Sequence, residues 1–337
     1  MISISCVQPG QLKLTHSQKP SLKPDHSILK IKSIGICGTD LHAFEGIQPY
    51  FEYPRILGHE IAAEIAETEK GSGFTIGERV TVIPYLHCDN CIACRNGKTN
   101  CCVDMQVIGV HCDGGMQEYI CVPNPAIVKG ASLSFNELML IEPLAIGAHG
   151  IRRAAIKSGE HVLVIGAGPI GLGVMEIARI AGAEVVAMDI NNQRLAFCKD
   201  KLAISHTINP LEASPIEKLE KITSGNMPTV VIDCTGNLQA INNAFQYIAH
   251  GGRYVLIGLQ KEFINFSHPE FHKREATLMS SRNATRTDFD YVISCMQRQY
   301  ILPTHYITHQ VGFEDVEQVF PSWLDPASAV IKAMVKF

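Results

Sequence analysis

The chain has 337 residues, 46% hydrophobic and 18% charged, with a formal net charge of −4. That apolar content excludes intrinsic disorder, and the length exceeds what one hydrophobic core organises, so two domains are expected. The charge balance offers no basic field to nucleic acid or an anionic membrane, so neither is expected as a partner.

The first residues, Met1 to Gly10, lack a basic segment ahead of an apolar run, so no export signal is read and a cytoplasmic protein is expected. Up to about residue 143 the chain shows short β-like runs, Ile28–Ile34, Ile61–Ala66, Val80–Pro84 and Gln117–Val122. Gly, Pro and Asn punctuate them, which predicts an irregular β-rich unit. Five of the twelve cysteines fall together in this part: Cys88, Cys91, Cys94, Cys101 and Cys102. Disulfides are not expected in a cytoplasmic chain. The spacing Cys88-x2-Cys91-x2-Cys94-x7-Cys102 instead offers four thiolates to a tetrahedral metal, with Cys101 as a spare. Such a shell has no open position, so it holds structure and not substrate.

The texture changes near Glu142. From His161 onward strands alternate with helices: HVLVIGAG, a helix over about 168–181, EVVAMD, a helix over about 193–202, TVVIDCTG, a helix over about 238–249, then GRYVLIG. This predicts a doubly wound parallel sheet. Its longest uncharged apolar run, Val162–Met175, holds four glycines and is too short to span a bilayer. Within it, Gly166-x-Gly168-Pro169-Ile170-Gly171 follows a strand and opens a helix. The glycines permit a tight turn, backbone approach to a pyrophosphate and close helix–strand packing. Asp189 ends the next strand, placed to hold adenosine ribose hydroxyls and to repel a 2′-phosphate, which favours NAD over NADP. Arg194 reaches the adenine edge or lies on a solvated helix face. The rest runs through a helix over about 288–299 and short strands to Phe337, and this tail is expected to pack with the β-rich start.

Cys37, His59 and Glu142 each have an ordinary structural reading on their own, and spacing does not assemble them. Their segments do carry a resemblance. GICGTDLH, YPRILGHE, GERV, the four-cysteine lobe, DGGMQEY, IEPLAIGAH, VIGAGPIGL, DCTG and VLIG occur in the order found in zinc-dependent medium-chain alcohol and polyol dehydrogenases. Over essentially its whole length the chain resembles that family. GVHCDGG and SSRNAT are similar to the starvation-sensing and L-gulonate or L-galactonate 5-dehydrogenase members.

The resemblance implies an α/β fold: a chaperonin-10-like catalytic domain over 1–143 with a zinc lobe at 86–103, a Rossmann domain over 144–281, and a return to the catalytic domain over 282–337. It implies one catalytic and one structural zinc per chain, NAD, a small-molecule substrate and a homodimer or homotetramer. Cys37 and His59 become catalytic zinc ligands, with Glu60 and Glu142 as third and exchangeable ligands in either order. Cys88, Cys91, Cys94 and Cys102 become the structural shell. Gly166, Gly168, Pro169, Ile170, Gly171, Asp189, Arg194 and Thr235 (in DCTG) become the cofactor site. Thr39 and His42 form a proton exit. Glutamate at 142, where ethanol-type members carry cysteine, points to the polyol and sugar-acid branch. Arg282 is placed to fork onto a substrate carboxylate or phosphate, or to bind the NAD phosphates. The family's GHE-x2-G pattern departs here, with Ala63 in place of its glycine. The implied activity is oxidation of a secondary hydroxyl of a polyol or sugar acid. The alternatives are a threonine- or sorbitol-like secondary-alcohol dehydrogenase, a zinc-free reductase, and a non-catalytic NADH-binding regulator.

Overall fold

The structure, a computed structural model, describes residues 1–49 and 51–337. The chain divides into two compact units, Met1–Glu142 together with Thr285–Phe337, and Pro143–Ala284. Among the described residues no helix is long and apolar enough to cross a membrane.

The first unit is built on a seven-stranded sheet. Along its path lie Ile127–Lys129, Arg79–Val82, Glu60–Thr68, His26–Ile36, Lys332–Lys336 and Ile307–Gly312, and Tyr119–Pro123 pairs with His26–Ile36 beside them. The 11-residue strand His26–Ile36 is the axis, antiparallel to Glu60–Thr68, Tyr119–Pro123 and Lys332–Lys336. Its Leu29, Ile31 and Ile34 bury against Ile61, Val80, Val82, Phe320 and Trp323, so the C-terminal segment closes the same core that the N-terminal strands open. In register, Gly35 stands opposite Glu60 on one side and Met334 on the other, so Glu60 and the start of the last strand flank the end of the axis strand. A separate two-stranded ladder, Tyr85–Leu86 with Gln106–Val107, closes the base of the cysteine segment.

The second unit is a six-stranded sheet in the order His206–Ile208, Glu184–Met188, His161–Ile165, Val230–Asp233, Arg253–Leu256, Thr277–Ser280. Every neighbouring pair is parallel. The central strands are continuous apolar runs: Val162, Leu163 and Val164, and Val230, Val231 and Ile232, are fully buried, as a sheet covered on both faces demands. The chain starts in the middle, builds to one edge, then returns to build the other. Strand order therefore reverses between His161–Ile165 and Val230–Asp233, where ligands of such sheets bind at the carboxyl ends. The segment read as one helix over 238–249 is α-helical only over Leu238–Ala244 and tightens to a 3-10 turn over Phe245–Tyr247. The reason is aromatic. Phe245 stacks on Phe266 at 4.5 Å and meets Tyr254 edge-on at 5.0 Å, and packing of these rings overrides helix continuation.

Glu160 staples this unit. Its carboxylate takes both Arg253 Nη2 contacts (2.8 and 2.7 Å), Thr229 Oγ1 (2.9 Å) and the Lys157 amide (2.7 Å). Burial alone would raise its pKa, but the Lys157 amide, Arg253 and Thr229 together hold it below the ordinary carboxylate value. A depressed pKa contributes stability above the unfolded value, about 4.3, and that contribution is lost as pH falls through the folded value. Glu160→Gln is expected to destabilise the protein by about 1–3 kcal/mol at pH 7 in urea unfolding. The difference from wild type should shrink below about pH 4; a difference independent of pH would show that packing, not charge, is responsible.

Candidate active site

Cys37 follows the axis strand as the N-cap of the helix Gly38–Glu45, and its amide donates to Asp40 Oδ2 at 2.9 Å. The other oxygen of Asp40 accepts the Gly58 amide at 3.0 Å. One buried carboxylate thus ties the Cys37 turn to the turn that presents His59. Gly58 has φ +91°, and a Cβ there would lie 2.9 Å from Ile34 Cγ2, so only glycine makes this approach. Cys37, His59 and Glu60 converge, their ligand atoms all within 4.8 Å of one another. Glu142, in the first turn of the helix Ile141–Ala154, is not in that set, but its charge acts on both His59 and Tyr85.

The two glutamates are held differently. Both oxygens of Glu60 accept from Lys332 Nζ, at 2.5 and 2.8 Å, and Lys332 also donates to the Ile36 carbonyl at 3.1 Å. Glu60 is 0% and Lys332 2% exposed. Burial opposes the Lys332 charge, yet Glu60 and Cys37 raise its pKa above the ordinary lysine value. Glu142 is likewise buried, with Oε1 accepting the Tyr85 hydroxyl and Oε2 without a hydrogen-bond partner among the described residues. Burial lifts its carboxyl to about 7. His59 Nδ1 is the other buried polar atom of the site without such a partner. Burial opposes charge on this imidazole, but Asp40 and Cys37 push its pKa well above 6.5. With Glu60 answered by Lys332, the pocket offers one sulfur, one nitrogen and one oxygen donor, from Cys37, His59 and Glu142. A borderline-soft divalent cation with S, N and O ligands fits that donor set.

Thr39 is half-buried with Oγ1 3.8 Å from Cys37 Sγ, and His42, three residues on, is exposed on the same helix. Neither Lys332 nor Tyr85 was singled out by sequence reasoning. Both are ordinary residues in ordinary strands, brought to the pocket by long-range contacts, Lys332 through sheet register and Tyr85 through its contact with the helix that carries Glu142.

In the lobe, Cys88, Cys91, Cys94 and Cys102 place their sulfurs within 4.8 Å of one another, while Cys101 is exposed and outside the set. Cys91 to Cys94 and Cys102 to Cys88 are each 3.5 Å, close to the edge of about 3.8 Å for a tetrahedron with metal–sulfur bonds of about 2.3 Å. The amides of Cys94 and Val103 lower the Cys91 thiol to about 6 while burial and the Cys91 contact push Cys94 up to about 12, so the protein alone favours one thiolate of this pair.

At the glycine loop, Gly166 has φ +98°, and a Cβ there would meet Thr235 Cγ2 at 2.8 Å. A Cβ on Gly171 would meet the Gly166 carbonyl oxygen at 1.8 Å, whereas one on Gly168 would meet nothing within 4 Å. Two glycines close the turn and the third leaves open space at the N-terminus of the helix Pro169–Ile180, whose N-cap has no side-chain hydrogen bond. That cradle fits a dinucleotide pyrophosphate. Ile170 lies half-buried in the first turn of that helix. Asp189 Oδ2 accepts the Ala167 amide at 2.6 Å and Oδ1 the Asn191 amide at 2.8 Å, so it also braces the loop. Thr235 Oγ1 donates to Asp233 at 2.6 Å, Arg194 lies half-buried on the helix Asn192–Leu202, and Arg282 is exposed just beyond the strand Thr277–Ser280.

Removing one member of a buried ion pair strands the other, at a cost of about 3–5 kcal/mol. Lys332→Met should show that loss in urea unfolding, and Glu60→Gln/Lys332→Met should recover part of it; a neutral single variant would remove the pair from the stability argument. Cys91→Ser should lower the melting temperature and remove about one metal per chain by elemental analysis. Unchanged metal content would mean that the lobe holds none or that Cys101 substitutes.

Residues 23–132 match the family model of the alcohol dehydrogenase GroES-like domain, and residues 169–298 that of a zinc-binding dehydrogenase. The chain is 42% identical over 333 residues to the L-galactonate-5-dehydrogenase of Escherichia coli K12, covering 98% of each. It is 30% identical to the starvation-sensing protein RspB of the same organism, covering 100% of this chain and 99% of that one. A crystal structure of rspB from E. coli CFT073, described as a short chain alcohol dehydrogenase complexed with NADH, superposes with a TM-score of 0.93 at 29% identity, covering 100% of this chain and 99% of that one. The chain therefore belongs to the zinc-binding dehydrogenases and is an oxidoreductase of the zinc-type alcohol and polyol dehydrogenase kind.

Proposed function

We propose that this protein oxidises a secondary hydroxyl of a sugar acid or polyol to a ketone, using zinc and NAD. The observation that carries this reading is the buried Glu142 carboxylate beside the Cys37–His59–Glu60 set, with one oxygen committed to Tyr85 and the other without a partner. A hard oxygen donor at this position, in place of a thiolate, suits a substrate with neighbouring hydroxyls. The relatives support it, since the 42% identical chain is named for L-galactonate and another, 29% identical over 333 residues, is a sorbitol dehydrogenase.

When bound, zinc supplies a Lewis acid that lowers the pKa of the substrate hydroxyl, and NAD accepts the hydride. Cys37 and His59 would hold the metal. Glu142 is the third ligand in this reading, because the oxygens of Glu60 are both taken by Lys332 and its part is that of an exchangeable neighbour. Thr39 passes the proton outward from beside Cys37, and exposed His42, on the same helix face, hands it to water. Gly166, Gly168, Pro169, Ile170 and Gly171 would receive the pyrophosphate, with Asp189 selecting NAD, Arg194 at the adenine edge and Thr235 beside the loop. Cys88, Cys91, Cys94 and Cys102 would hold the structural zinc. Arg282 binds a substrate carboxylate or the NAD phosphates. A homodimer or homotetramer in the cytoplasm completes the reading. The terminal strand Thr277–Ser280, with Thr277, Leu278 and Ser280 exposed, is an edge of the sort proteins cover.

The test is NADH formation against a panel of aldonates, polyols and simple secondary alcohols, each with NAD or NADP and with or without a chelator. Turnover of aldonates or polyols above simple alcohols, with NAD preferred and activity lost to chelator, is expected. Chelator-resistant activity would sink the zinc role, NADP preference would sink the role of Asp189, and NADH binding without turnover of any alcohol would leave the non-catalytic reading.

A further inference from the structure

Tyr85 has a hydroxyl in the pocket and a backbone in a different structure, the base of the cysteine lobe. Its strand, Tyr85–Leu86, pairs with Gln106–Val107 in the register Tyr85 to Val107 and Leu86 to Gln106, and the four thiols lie in the segment between them. Tyr85 is 5% exposed, and its hydroxyl donates to Glu142 Oε1 across 57 positions of sequence. A carboxylate on a flexible side chain offers two equivalent oxygens and several rotamers. A donor held on a rigid ladder removes that choice, engaging one oxygen and leaving the other buried and unpartnered.

We propose that Tyr85 is a positioning residue of the active site: from the base of the lobe it holds Glu142 by one oxygen and so presents the other to the metal held by Cys37 and His59. This rests on the reading of Glu142 as the third ligand. Outer partners of this kind fix ligand orientation, and their loss typically weakens metal binding 10–100-fold. The lobe thereby does more than brace its own loop, because its ladder carries the group that orients a ligand outside it.

The experiment uses the full-length chain stripped of metal and titrated with Co2+. Both sites give thiolate charge-transfer and visible d–d bands, those of the four-cysteine lobe being the more intense, so the mixed site is read as the difference from a Cys37→Ser sample in which the lobe alone is loaded. Tyr85→Phe, Glu142→Gln and the double variant are compared with wild type. Tyr85→Phe is expected to weaken Co2+ at the mixed site about 10-fold and to shift its d–d bands, with the lobe bands intact. The double variant should bind as Glu142→Gln does alone, because the hydroxyl acts only through that carboxylate. Three results overturn the proposal while the reading of Glu142 stands: Tyr85→Phe binding like wild type while Glu142→Gln is weakened, the two losses adding in the double variant, or Tyr85→Phe losing the lobe bands together with the mixed site, which marks a purely structural role. Wild-type affinity in Glu142→Gln overturns the Glu142 reading itself, and the Tyr85 inference with it.

Discussion

The Lys332–Glu60 pair is the interaction on which the first unit turns. Two charges removed from water cost several kcal/mol each, and such a pair persists only where its geometry recovers that loss. Here Lys332 Nζ reaches both carboxylate oxygens and the Ile36 carbonyl. The contact needs room: a Cβ on Gly35 would lie 2.0 Å from Glu60 Oε2, so the axis strand must carry glycine there. The result pins the last strand of the chain to the start of the strand that follows His59, one residue from the Cys37 turn. It also commits Glu60, which changes what is asked of Glu142.

The pocket then reads as a division of work among carboxylates. Asp40 accepts the amides of Cys37 and Gly58, sets the spacing of the two turns, and its charge favours the protonated His59 imidazole. Glu60 answers Lys332. Glu142, buried with an oxygen left over, is the carboxylate whose desolvation is not offset by the protein alone. An unpaired buried acceptor is destabilising, and such groups are characteristic of sites that complete themselves with a ligand. His59 Nδ1, buried without a hydrogen-bond partner, is a second such atom in the same pocket.

The second unit solves a different problem, a tight turn of bare backbone between a strand and a helix. Gly166 and Gly171 remove the side chains that would block the turn, and Asp189 draws the Ala167 amide toward the next strand. The loop is carried by the buried apolar strands Val162–Ile165 and Val230–Ile232.

Much of this was legible in the chain itself because its causes are local. Four thiols at short spacing can meet only on one loop, and they do; a glycine pattern between a strand and a helix has few conformations open to it; buried parallel strands announce themselves as unbroken apolar runs. Alternation of strand and helix was enough to read the doubly wound sheet, while the aromatic packing that cuts one helix short at Ala244 was not visible locally. The pocket was beyond spacing altogether: Cys37, His59 and Glu142 were joined by resemblance, and Lys332 and Tyr85 were missed because nothing near them in sequence marks them. Lys332 meets Glu60 across 272 positions and Tyr85 meets Glu142 across 57. The first depends on which strands pair and in what register, where a shift of one residue would turn the side chains to the opposite face, and the second on where the helix Ile141–Ala154 packs against the strand Tyr85–Leu86. The sequence by itself determined the four-thiol lobe and the glycine loop, whose geometry is written in short-range backbone constraints. The tertiary structure alone decided which carboxylate stays open, since that depends on long-range register and the charges it buries together.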